Sequence, residues 1–209
     1  PLARLWGWRA LVLEKVPLAA LAAASIALTL EAQRAGGALD APIALGARLA
    51  NALVAYATYL GQVLWPVGLA VYYPHPAMVA PEESRLAPAL LALALLGGVT
   101  WSAFRLRRRL PWLLVGWCWF LGLLVPMIGL VQAGTLAHAD RYAYLSALGL
   151  ELALVWSAAE LVRARPAWRG AVLGLGALAL AASALQSVRQ IEVWSSSEAL
   201  FRNALAHTE

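Results

Sequence analysis

The sequence predicts an all-α, polytopic membrane protein, and three observations carry that prediction. Hydrophobic residues make up 62% of the chain and charged residues 13%, where soluble domains lie nearer one half and one quarter. The apolar residues gather into uncharged runs of about 19 residues, long enough to cross a hydrocarbon core. The basic residues cluster beside those runs, as topology signals do. All of them except Lys15 are arginine, and the net charge is +5. That charge reads as orientation, and no nucleic-acid partner is expected.

Five spans are predicted, over about 16–30, 86–104, 110–131, 144–162 and 170–188. Arg4, Arg9 and Lys15 precede the first. Arg105, Arg107, Arg108 and Arg109 separate the second from the third, and Arg163, Arg165 and Arg169 separate the fourth from the fifth. Five spans with the N-terminus inside place all three clusters in the cytoplasm. Residues 31–85, 132–143 and 189–209 then lie on the non-cytoplasmic side.

Residues 48–72 test this count, because a sixth crossing would put Arg105 to Arg109 outside. Arg48, Asn51, Thr58, Tyr59 and Gln62 share one helical face. That pattern favours an interfacial helix lying apolar face down, with Trp65 and Tyr72 at headgroup depth. The alternative is a true span with its polar stripe packed inward. Trp65-Pro66 should end or kink the helix. Pro74 and Pro76 make the next segment rigid and extended, with an irregular loop over 77–84. Residues 189–209 leave the membrane as an amphipathic helix, capped by one of Ser195, Ser196 or Ser197. Cys118 reads as a small buried hydrophobe. The chain starts at Pro1 and reads as a fragment of something longer.

No nucleophile motif, phosphate loop or dinucleotide fingerprint is present. His75, His138 and His207 are too far apart in sequence to argue a zinc site, and no metal ligand is assigned. The densest chemistry is the run His138, Ala139, Asp140, Arg141, Tyr142, Ala143, Tyr144, Leu145, Ser146, between two strongly apolar segments. Arg141 offers a planar fork for phosphate oxygens. Asp140 can orient it, accept a sugar hydroxyl or bind a metal, and Tyr142 can pack on a sugar ring. An aromatic belt and a helix cap would use the same residues, and both readings stand. Glu151, about two turns further on, can line the same cavity. Weaker candidates are Arg34 at the outer end of the first span, Arg48, and Tyr73 with His75 beside the interfacial helix.

Several segments together resemble a known family. They are Glu14-Lys15 before a span, Ala32-Gln33, Gly36-Gly37, then Arg48, Asn51, Tyr56 and Tyr59-Leu60. Trp65-Pro66, Leu69 to Pro74, Ala139 to Ser146, and Trp194 with Glu198, Leu200 and Phe201 complete the series. Their order resembles the C-terminal membrane half of bacterial tetratricopeptide-repeat membrane proteins. Those are similar to the transmembrane and tetratricopeptide-repeat O-mannosyltransferases of the GT-C glycosyltransferase superfamily. The resemblance implies a fragment of a GT-C-like fold in the cell inner membrane, with residues 189–209 beginning a repeat region. It implies a polyprenyl-phosphate-linked sugar as donor, and a protein or other acceptor on the non-cytoplasmic face. It leaves a divalent metal open, and places the acidic catalytic residue outside this chain. Arg141, with His138, Asp140, Tyr142, Arg48, Arg34, Tyr73 and His75, would then contact substrate. An inactive membrane anchor presenting repeats to a protein partner is the alternative.

Overall fold

The computed structural model describes residues 8–37, 43–80, 85–130 and 134–208. The chain divides into two units, Pro1–Pro42 and Ile43–Glu209. The first unit contains α1 (Trp8–Ala35). It runs past both ends of the predicted 16–30 span. Glu31 and Arg34, one turn apart, pair at 3.6 Å and continue the helix.

The second unit begins with α2 (Leu45–Leu64), β1 (Tyr73–Pro74), α3 (Pro76–Val79), α4 (Leu86–Leu106) and α5 (Pro111–Leu124). It continues with β2 (Leu136–His138), α6 (Ala143–Ala164), α7 (Arg169–Val193) and α8 (Ser197–Thr208). Four helical segments among the described residues are long and apolar enough to cross a membrane: Val12–Ala35, Leu86–Leu106, Asp140–Ala164 and Pro166–Val193. The chain is a helical membrane protein. The apolar face of α7 is open along its length at Leu173, Leu178 and Leu180, as a lipid-facing helix requires.

Two predicted elements change. The third span, expected over 110–131, is helical for only 14 residues, about 21 Å at the α-helical rise. Pro126 has no N–H to continue the ladder, and the chain leaves the helix before it. The helix expected over 48–72 stops at Leu64. Pro66 disfavours helical geometry at Trp65, which is extended at φ −149° and ψ 95°. Cys118 is exposed rather than buried. Residues 77–79, expected as irregular loop, belong to the short α3.

The core lies between α2, α4 and α5 and is built on Tyr59, Leu96, Trp117, Phe120, Leu124 and Ile128. Its indole N–H groups find partners inside the bundle. Trp117 Nε1 donates to Thr100 Oγ1 at 2.8 Å, and Trp112 Nε1 to Ser157 Oγ at 3.1 Å. Helices α5 and α6 approach most closely where Gly116 faces Gly149, with backbone nearly touching backbone.

The positive-inside argument makes a direct prediction. With Cys118 replaced by serine, Tyr144→Cys and Arg108→Cys are introduced separately. Both native side chains are exposed. An impermeant thiol reagent applied from the non-cytoplasmic side should label position 144 and spare position 108. External labelling at 108 would overturn the orientation.

Candidate functional site

The site begins with two prolines. Pro74 and Pro76 hold the chain extended, so Tyr73 and Pro74 pair antiparallel with His138 and Leu136. His75 N–H extends the contact by donating to Thr135 O at 2.7 Å. This short ribbon lies against the polar stripe of α2.

Asn51 Nδ2 donates to Ala137 O at 2.8 Å. Tyr59 O–H donates to Ala139 O at 2.9 Å and accepts from Ala139 N–H at 3.0 Å. Gln62 Nε2 donates to Asp140 Oδ1 at 3.2 Å. Arg48 Nη1 donates to Leu130 O at 3.1 Å. Thr58 alone among the stripe residues turns back on its own helix, to Val54 O. The stripe therefore satisfies buried backbone groups at Ala137 and Ala139.

The ribbon carries the chemistry. The His138 ring stacks on Tyr73, centroids 4.1 Å apart, and meets the edge of Tyr59 at 5.6 Å. Its Nε2 is buried with no hydrogen-bond partner, and burial pushes its pKa down to about 4. His138 is thus a neutral packing residue, not a cation for phosphate. Tyr73 O–H donates to Asp140 Oδ2 at 3.1 Å and accepts from Ala70 N–H at 2.7 Å. Burial, with the Asp140 carboxylate beside it, raises the Tyr73 phenol well above its ordinary range. Asp140 is held on both oxygens, one by Tyr73 and one by Gln62.

Asp140 and Arg141 open onto a cavity of about 510 Å³. Helix α2 contributes Gln62 and Val63, and the following loop contributes Pro66 and Leu69. The start of α6 contributes Tyr144, Leu148 and Glu151, and α7 contributes Ser183. Arg141 is exposed, with its guanidinium 5.1 Å from the Tyr142 ring. No carboxylate among the described residues lies within ion-pair distance of it. The cavity therefore joins a free cation and two carboxylates at one end of a membrane-spanning helix to the apolar walls of Leu69 and Leu148.

The predicted residues divide clearly. Asp140 and Arg141 line the cavity, Tyr73 and His138 build the wall behind it, and Tyr142 is half-buried against the core. Arg48 does not reach the cavity, because it is spent on Leu130 O. His75 lines a different cavity. Arg34 belongs to the first unit and pairs with Glu31. Glu151 shares the Arg141 cavity, as its two-turn spacing suggested. Ser183 was missed, since nothing marks one serine in an apolar helix. Among the described residues no three His, Cys, Asp or Glu side chains cluster as a metal site needs. No protein family, curated protein or solved structure matches the chain.

Tyr59→Phe tests the scaffold. Ala139 is 2% exposed. Its carbonyl would keep the Tyr142 N–H, but its own N–H would be orphaned at a cost of about 1–3 kcal/mol. Thermal unfolding in detergent should show a clear drop for Tyr59→Phe and none for Tyr144→Phe, whose ring is 80% exposed. Equal stability of the two variants would contradict the assignment.

Proposed function

We propose that the chain is the membrane part of a glycosyltransferase. It moves a sugar from a polyprenyl-phosphate donor to a protein or other acceptor on the non-cytoplasmic face of the inner membrane. One observation carries this reading: the guanidinium of Arg141, unpaired among the described residues, in a cavity that also holds Asp140 and apolar walls. A lipid-linked sugar needs those three things together, a cation for its phosphate, an acceptor for its hydroxyls and a greasy wall for its tail. In the displacement, the acceptor oxygen forms a bond to the anomeric carbon while the bond from that carbon to the phosphate oxygen breaks. The leaving electron pair stays on the phosphate, where Arg141 stabilises it. Asp140, held by Tyr73 and Gln62, keeps lone pairs free for a sugar hydroxyl. The group that takes the acceptor proton is not assigned to this chain.

The test is incubation of the full-length protein carrying this chain with polyprenyl-phosphate mannose and polyprenyl-phosphate glucose, followed by mass spectrometry of candidate acceptors. Transfer dependent on the protein supports the reading, and its absence with every donor and acceptor tried counts against it. An inactive anchor presenting repeats is the second reading, and α8 favours it. Asn203 Nδ2 fastens α8 to Leu69 O at 2.9 Å, and Phe201 and Leu205 stay exposed.

A further inference from the structure

We infer that the end of α4 carrying Arg105 to Arg109 binds one anionic phospholipid, with an acyl chain in the apolar cavity between α2, α4, α5 and α6 and the phosphate at its rim on Arg108 and Arg109. This does not rest on the sugar-transfer reading, and the cavity shares no lining residue with the one at Arg141.

The cavity measures about 210 Å³. Four helices wall it, with Leu64 from α2, Leu106 from α4, Leu113 from α5 and Leu154 from α6. Only two lining side chains carry polar atoms, Ser102 and Trp117, and both are satisfied within the protein. Ser102 Oγ donates to Gly98 O at 2.8 Å, and Trp117 Nε1 donates to Thr100 Oγ1 at 2.8 Å. A hydrocarbon occupant therefore leaves no lining side-chain donor unmet, and water finds little there to bond. Dry apolar cavities of about 150 Å³ already take up hydrocarbon. Leu64, Leu106 and Leu154 are exposed, and α4 and α6 belong to membrane-spanning segments, so a chain can enter from the bilayer.

The rim adds charge. Leu106 and Leu113 flank the turn between α4 and α5, and that turn holds Arg107, Arg108 and Arg109, with Arg105 just before Leu106. The Arg105 guanidinium is 5.9 Å from the ring of Trp101, an exposed indole of the kind that sits at headgroup depth. Arg107 turns back on its own helix, 3.7 Å from the Phe104 ring and donating to Phe104 O at 2.7 Å. Arg108 and Arg109 are exposed, and no carboxylate among the described residues lies within ion-pair distance of either.

Four cations within five residues, with no acid among them, attract an anion. At headgroup depth the anion at hand is a lipid phosphate, and basic clusters of this size beside a membrane-spanning helix select anionic lipids. A zwitterionic lipid brings its own ammonium, which the arginines repel. A phospholipid carries its phosphate directly above its acyl chains, in the same order as the arginine rim and the leucine cavity.

Native mass spectrometry of the full-length protein carrying this chain, purified in detergent and titrated with dioleoylphosphatidylglycerol, tests this. The wild type and Arg141→Ala should each retain one lipid. Ser102→Phe, which fills the cavity, should bind it about tenfold more weakly. Leu154→Trp is the second filler, should Ser102→Phe fail to elute as folded protein. Arg108→Gln combined with Arg109→Gln keeps the cavity open and strips the rim, and should also bind about tenfold more weakly. Dioleoylphosphatidylcholine and dioleoylglycerol should bind the wild type detectably less, and inorganic phosphate should not displace the lipid. Undiminished binding by both filled variants, or by the double arginine variant, would overturn the site. So would equal binding of either comparison lipid, displacement by inorganic phosphate, or loss of the lipid in Arg141→Ala.

Discussion

Gly149→Leu is expected to abolish the folded protein. At this point α5 and α6 are in backbone contact. A Cβ on Gly149 would lie 2.5 Å from Gly116 O and 2.8 Å from Trp119 Cδ1. Real side chains do not approach so closely, and a carbonyl in a helix cannot swing aside. The helices would have to separate, and two bonds that join them would go with the contact. These are Trp119 Nε1 to Leu145 O at 3.0 Å and Trp112 Nε1 to Ser157 Oγ at 3.1 Å. Overpacking alone costs about 1–3 kcal/mol, and the lost bonds bring the sum to a large fraction of a domain's stability. Size-exclusion profiles of membrane extracts read this directly. Gly174→Ala is the control, since a Cβ there meets nothing within 4 Å and alanine favours the helix. A Gly149→Leu variant eluting like the wild type would refute the contact.

Arg141→Ala is expected to remove catalysis without removing the fold. Arg141 is exposed, and its guanidinium lies 5.1 Å from the Tyr142 ring, with no ion-pair partner among the described residues. If it stabilises a leaving phosphate, its loss should lower transfer by about 10²–10³-fold, the scale set by deleting one charge-stabilising donor. Arg141→Lys keeps the charge but not the fork, and should fall between. Expression and elution should match the wild type throughout. Full transfer activity in Arg141→Ala, at normal expression, would take Arg141 out of the site.

Much of the fold was legible because hydropathy and proline act locally. A membrane selects uncharged runs wherever they stand, so the spanning segments around 86–104, 144–162 and 170–188 correspond to α4, α6 and α7. Pro66 ends α2 through its effect on Trp65, one residue away. Ser196 Oγ caps α8 by accepting from Ala199 N–H at 3.2 Å, within one turn. Where prolines acted less obviously, the reading overshot. Pro126 shortens α5, though the apolar composition continues past it.

The site was legible as a set of residues and illegible as an arrangement. Helical periodicity shows that Arg48, Asn51, Tyr59 and Gln62 share a face, but not what lies opposite. They bond to Leu130, Ala137, Ala139 and Asp140, about eighty positions along the chain, and no local signal spans that distance. Tyr73 and His75 stand two residues apart, yet Tyr73 holds Asp140 while His75 lines a separate cavity. Gly149 in an apolar run resembles any other membrane glycine until Gly116 is placed against it.

By itself, then, the sequence determined that this is a helical membrane protein. It also singled out the run from His138 to Ser146 as chemically unusual, because composition, periodicity and proline geometry depend on near neighbours alone. Only the tertiary structure decided that His138 is a neutral ring between two tyrosines, that Asp140 is held by Tyr73 and Gln62, and that Arg141 opens onto a cavity. Those assignments depend on which distant backbone groups need partners once water is excluded, and that is known only when the helices have packed.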